Sequence, residues 1–147
     1  MPITWVLVAD RGGARLFEHH GRSTGLQRVA DIPHPQGRLK NGDLNADKHG
    51  RSFDSTGSGR HAMGTSESPA EHVAAGFARK LAQRLDRDGQ QHRYERLVLV
   101  AAPRFLGNLR NALGNAAKSA VIATINKDLS GVQDRDLRTH LADVLPL

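Results

Sequence analysis

Apolar residues fall along this chain in two rhythms. Leu97-Val98-Leu99-Val100-Ala101-Ala102 is an unbroken run of six apolar positions, short and rich in Val and Leu, as in a strand buried on both faces. Pro103 ends it and suits the first turn of a helix, where a missing N–H costs nothing. Phe105, Leu106, Leu109, Ala112, Leu113 and Ala116 then recur at helical spacing, with Gly114 near the expected helix end. This strand-into-helix unit is half of a βαβ element and the expected centre of the core. Upstream, Trp5–Asp10 reads as a first strand, apolar until its last residue, and Asp10-Arg11-Gly12-Gly13 as a turn. Ala14–His19 is expected to return as a second strand. A turn over His20–Gly25 leads to a weaker third strand, Leu26–Ile32, closed by Pro33 and Pro35. Short turns between consecutive strands make an antiparallel meander.

Helical spacing returns after Ser68. Ser68-Pro69-Ala70-Glu71 has the form of a capping box with proline at the first helical position. Val73, Ala74, Phe77, Ala78, Leu81, Ala82 and Leu85 continue one apolar face, and the helix is expected to end near Gly89. Ala120–Asn126 predicts a fifth strand. Ser130 and Gln133 suggest another capping box before a last helix packed through Leu137, Leu141, Val144 and Leu145. The predicted order is βββαβαβα. It implies an α/β fold with a single mixed sheet of about five strands, in one domain over residues 1–147.

Residues 34–68 break the pattern. This stretch is Gly- and Ser-rich, has no periodicity, and carries Lys48, His49, Arg51, Arg60 and His61 beside Asp43, Asp47, Asp54 and Glu67. A long flexible loop is expected there, and loops of this length are commonly functional or disordered. The chain carries 21 Lys and Arg against 15 Asp and Glu, which favours a polyanionic partner. From Arg79 to Arg110 the bias sharpens to eight basic against three acidic residues. Few aromatics are present, so backbone contacts rather than base stacking are the expected mode for RNA. Without cysteine, disulfides and thiolate metal sites are excluded. No signal-peptide pattern opens the chain and no apolar run approaches a membrane span, so a cytoplasmic location is expected.

Catalytic motifs fare poorly. Gly59-Arg60-His61-Ala62-Met63-Gly64-Thr65-Ser66 has P-loop glycine spacing, but Thr65 stands where the phosphate-binding lysine belongs. The histidines form no H-E-x-x-H motif and no helical i, i+4 pair, so neither a metal nor a cofactor is expected. Asp10, Glu18 and Asp128 would make a Mg²⁺ nuclease site only if their strand ends converged.

Several segments resemble the bacterial host-attachment protein family. They are Trp5–Phe17, Gly50-Arg51-Ser52-Phe53-Asp54-Ser55, Phe77-Ala78-Arg79-Lys80-Leu81-Ala82, Ala102–Arg110 and Lys127-Asp128-Leu129. That family in turn is similar to the middle domain of class-I termination factors and of Pelota. The similarity implies a ribonuclease-H-like arrangement with a long Gly-rich loop. Lys48-His49-Gly50-Arg51 matches the Lys-His-Gly-Arg segment of those factors, but no Gly-Gly-Gln follows. The resemblance therefore implies a non-catalytic protein associated with RNA, with the ribosome, rRNA or tRNA as partner. Lys48, His49, Gly50, Arg51, Arg60, His61, Arg79, Arg104 and Arg110 would be its contacts. The alternatives are an interaction protein in host attachment or stress physiology, and a metal-dependent hydrolase or nuclease. A homo-oligomer is compatible with all three.

Overall fold

The computed structural model describes residues 2–21, 25–39 and 68–145. Five strands form one mixed sheet: β1 (Thr4–Asp10), β2 (Gly13–His19), β3 (Gln27–Pro33), β4 (Arg96–Val100) and β5 (Val121–Ile125). Their spatial order is β3-β2-β1-β4-β5. The meander β1-β2-β3 is antiparallel, whereas β1 with β4 and β4 with β5 are parallel. The helices are α1 (Pro69–Gln90), α2 (Pro103–Ala112), α3 (Asn115–Ala120) and α4 (Leu137–Leu141).

Alternation along the central strands sorts their side chains to two cores. Trp5, Leu7 and Ala9 of β1, with Leu97 and Leu99 of β4, pack under α1, α2 and α3. Val6, Val8, Val98 and Val100 point the other way, with Phe17, and are covered by Leu129, Leu137, Leu141 and Leu145. Fully burying each such side chain stabilises the fold by roughly 1.5–3 kcal/mol.

The second covering is short on regular structure, and one cation holds it down. Arg15 of β2 donates to the carbonyls of Val132 (2.8 Å), Leu129 (2.9 Å) and Ser130 (3.2 Å), and to Asp134 Oδ1 (2.7 Å). Arg28 of β3 grips the same carboxylate through Nε and Nη2. Two strands of the meander are thereby tied to a segment more than 100 residues later in the chain.

Two local expectations need correction. The helix after Pro103 does not run on to Ala116. It stops at Ala112 and α3 begins after Gly114. The break is set by Asp86 of α1, whose carboxylate accepts the N–H groups of Gly114 (2.8 and 3.0 Å) and Ala117 (3.3 Å). It thus caps α3 from another helix. The expected end of α1 near Gly89 is met, at Gln90. A side chain at Gly89 would meet the Tyr94 hydroxyl, which crosses there to donate to the Leu85 carbonyl (2.7 Å). Burial pushes that phenol well above its ordinary pKa. No capping box joins Ser130 to Gln133. Ser130 instead donates from both N–H and Oγ to Asp128 Oδ1, and a 3₁₀ turn over Asp134–Asp136 leads into α4. The expected loop over 34–68 begins with a 3₁₀ turn, Pro35–Arg38, and residues 40–67 of it lie outside the described residues.

Arg15→Ala should lower the unfolding free energy by about 2–4 kcal/mol, because it leaves several carbonyls and Asp134 without their donor. Arg15→Lys should recover only part of this. Hydrogen bonding to Arg28, and then to Arg15, holds the Asp134 carboxyl below the usual aspartate range. Its contribution is therefore fully present above the unfolded pKa and is lost as pH falls through the folded value. Denaturant titrations from neutral pH into the acid range should show this loss in the native chain and a smaller one in Asp134→Asn.

Candidate functional site

β1 and β4 end side by side, and their carboxyl edge opens into a cleft of about 290 Å³. Ligands of open α/β sheets bind outside this edge. The floor is apolar, from Ala70, Ala74, Ala102 and Phe105. The polar lining is Asp10 and Arg11 from the end of β1, Glu71 from α1, Arg104 and Asn108 from α2, and Asp128 from beyond β5. Arg104 and Asn108 share a face because they lie four residues apart on a helix that starts directly after the strand.

Each carboxylate at this edge already has local hydrogen bonds. Asp10 Oδ1 accepts the Gly12 N–H at 2.8 Å. Asp128 accepts from Ser130. Glu71 completes the capping box of α1: its Oε1 accepts the Ser68 N–H (3.1 Å) while Ser68 Oγ accepts the Glu71 N–H (3.2 Å). Its Oε2 pairs with Arg104, whose side chain is otherwise largely in solvent. The Ser68 backbone N–H is the larger cause, and Arg104 the next, of a Glu71 carboxyl held below its ordinary pKa.

The nuclease arrangement is not assembled. Asp10 and Asp128 do line one cleft, but Glu18 lies opposite Trp5 at the other end of β1. That is about 16 Å away at the rise of a strand. Glu18 accepts Trp5 Nε1–H (3.0 Å) and bonds His20 Nε2 (2.7 Å). Among the described residues no group of three or more His, Asp or Glu could hold a metal ion.

The described ends of the 40–67 stretch flank this cleft. On the incoming side, the Pro35–Arg38 turn is locked to the β1–β2 corner. His34 Nδ1 donates to the Arg11 carbonyl (2.7 Å), and the His34 ring stacks on Phe77 of α1 with centroids 4.2 Å apart. Gly37 is buried so closely that any Cβ would run into the Arg11 carbonyl. On the outgoing side, Ser68 caps α1 beside Ala70 and Glu71, which line the cleft. His34 and Gly37 were not singled out from sequence; the only signal was their place between Pro33, Pro35 and the expected loop.

Of the nine candidate contacts, Lys48, His49, Gly50, Arg51, Arg60 and His61 lie outside the described residues. Arg79 is exposed on α1 and Arg104 stands at the cleft. Arg110 does not join them. Six residues further along α2, it turns into a separate groove with Asn111, Lys118 and Thr124.

Fold and cleft together define a mixed-sheet α/β protein with a charged hollow at the carboxyl edge of its parallel strands. The chain belongs to the family described as protein required for attachment to host cells, whose model matches residues 5–141. No curated protein matches it. Among the described residues no helix is long and apolar enough to cross a membrane.

NMR titration should place Glu71 below the ordinary glutamate range in the native chain. Arg104→Ala should raise it only slightly, because the Ser68 N–H remains, whereas Ser68→Pro should raise it further by removing that donor. The helix-capping contribution of Glu71 is present at neutral pH and fades as pH falls through its lowered pKa.

Proposed function

We propose that this protein is a non-catalytic RNA-associated domain, related to the middle domain of the termination factors, that contacts the ribosome through its carboxyl edge. The carrying observation is the placement of the chain on either side of residues 40–67. Both described ends lie beside the cleft that holds Arg11 and Arg104, and the intervening sequence supplies Lys48, Arg51 and Arg60. Cations such as Arg11 and Arg104 at this edge suit phosphate, where contacts position a protein without reading sequence. Arg79 and Lys80, exposed on α1, extend the basic surface. The local hydrogen bonds of Asp10 and Asp128 give those carboxylates a structural use, which fits a contact role better than hydrolysis. The absence of Gly-Gly-Gln supports the same reading.

A second reading follows from the family description: an interaction protein that acts in attachment to host cells. A deletion strain with altered adhesion and unchanged translation would favour it over the first.

Sedimentation through a sucrose cushion with ribosomes tests the leading proposal. The native chain should pellet with ribosomes at low salt. The double variant Lys48→Ala/Arg51→Ala should lose about ten-fold in affinity and Arg104→Ala about three-fold. The dependence of log K on log salt should flatten by about one unit for each phosphate contact removed. No cosedimentation at low salt overturns the proposal.

A further inference from the structure

The two outer edges of the sheet are built differently. β3 carries Arg28, Asp31 and Pro33, the kind of residues that discourage further strand pairing. β5 reads Val121-Ile122-Ala123-Thr124-Ile125, with neither a charge nor a proline. No described strand pairs with its outer side. The Ile125 carbonyl accepts the Ala101 N–H at 3.1 Å, so the backbone polar groups of Ile125 face β4. By alternation those of Thr124 face away. The register shift in the β4–β5 pairing leaves Ile122 49% exposed, among the largest exposed apolar side chains described.

Beside this edge lies a groove of about 500 Å³ between α2, α3 and β5. Leu113 and Val121 give it apolar walls, and Asn111 and Thr124 add polar ones. Its charged lining residues are Arg110 and Lys118, both exposed and neither paired with a carboxylate among the described residues. Asp86, which packs against the start of α3, spends its oxygens on the Gly114 and Ala117 N–H groups. Lys127 is exposed just past the far end of β5.

We infer that β5 and the Arg110–Lys118 groove dock an extended acidic peptide by strand addition. Such a peptide pairs its backbone with the outward groups around Thr124. Its alternate side chains then fall on one face, so carboxylates two residues apart reach Arg110 and Lys118 while the intervening residues cover Ile122. A second copy of this chain fits less well, because antiparallel β5 against β5 sets Lys118 of one copy toward Lys127 of the other. A phosphodiester chain lacks the N–H donors that a strand edge takes up. The β5 surface is separate from the carboxyl-edge cleft and uses no residue between 40 and 67, so it goes beyond the ribosome proposal.

The probe is a fluorescent alternating glutamate–valine peptide of about eight residues, long enough for one strand. Its control alternates glutamate with proline, with equal charge and no ladder donors. By anisotropy at low salt, the valine peptide should bind at least ten-fold more tightly than the proline peptide. Arg110→Ala/Lys118→Ala, both at exposed positions, should weaken it about ten-fold, and the Thr124 amide should exchange more slowly in its presence. Equal binding of the two peptides overturns the inference, as does unchanged exchange at Thr124. So does protection of Thr124 by self-association without peptide, or by single-stranded RNA of equal charge. Lys48→Ala/Arg51→Ala should leave peptide binding untouched, which separates this result from the fate of the ribosome proposal.

Discussion

The two central strands have no solvent face, and the rest of the structure answers to that fact. β1 and β4 are parallel neighbours with almost every side chain buried. A parallel pair of this kind is stable only when both faces are covered. The first covering is conventional: a long capped helix and two shorter ones laid over Leu7, Leu97 and Leu99. The second comes from residues 129–145, where α4 spans only five residues. A helix so short has little stability of its own. Its leucines stay in place because Arg15 and Arg28 fix the backbone on which they stand.

The same pairing of strands creates the candidate site. Two parallel strands that end together leave a crevice where the chain departs in opposite directions, β1 into a hairpin and β4 into α2. Side chains that end strands or begin helices collect there without belonging to the core. Asp10 and Arg104 are such residues. The Pro35–Arg38 turn and the start of α1 then close around this crevice, linked through the stack of His34 on Phe77. Phe77 also contacts Phe105 with centroids 6.1 Å apart, so one aromatic chain runs from the turn to the floor of the cleft.

What could be read from sequence was what nearest neighbours encode. The strands announced themselves through two-sided burial, and the start of α1 through Ser68, Pro69 and Glu71. Where sequence failed, the deciding partner lay far along the chain. The division between α2 and α3 follows from Asp86, 28 residues upstream of Gly114. The role of Arg15 could not be anticipated, since all its acceptors but Asp134 are backbone carbonyls, which carry no residue identity. In the site, Asp10 and Asp128 were legible as strand-end carboxylates. The separation of Arg110 from Arg104 was available from helical geometry, but a count of charge over a stretch of chain ignores direction.

The Arg15 contacts also bear on how the domain comes together in time. They join positions separated by 114 to 119 residues. Contacts of that reach form late, because closing a long loop costs entropy before it returns any contact energy. Until they form, Val6, Val8, Val98 and Val100 present an oily surface to water. An incompletely folded chain is consequently sticky on that side, and the guanidinium group that latches it is also what ends its exposure to other unfolded chains.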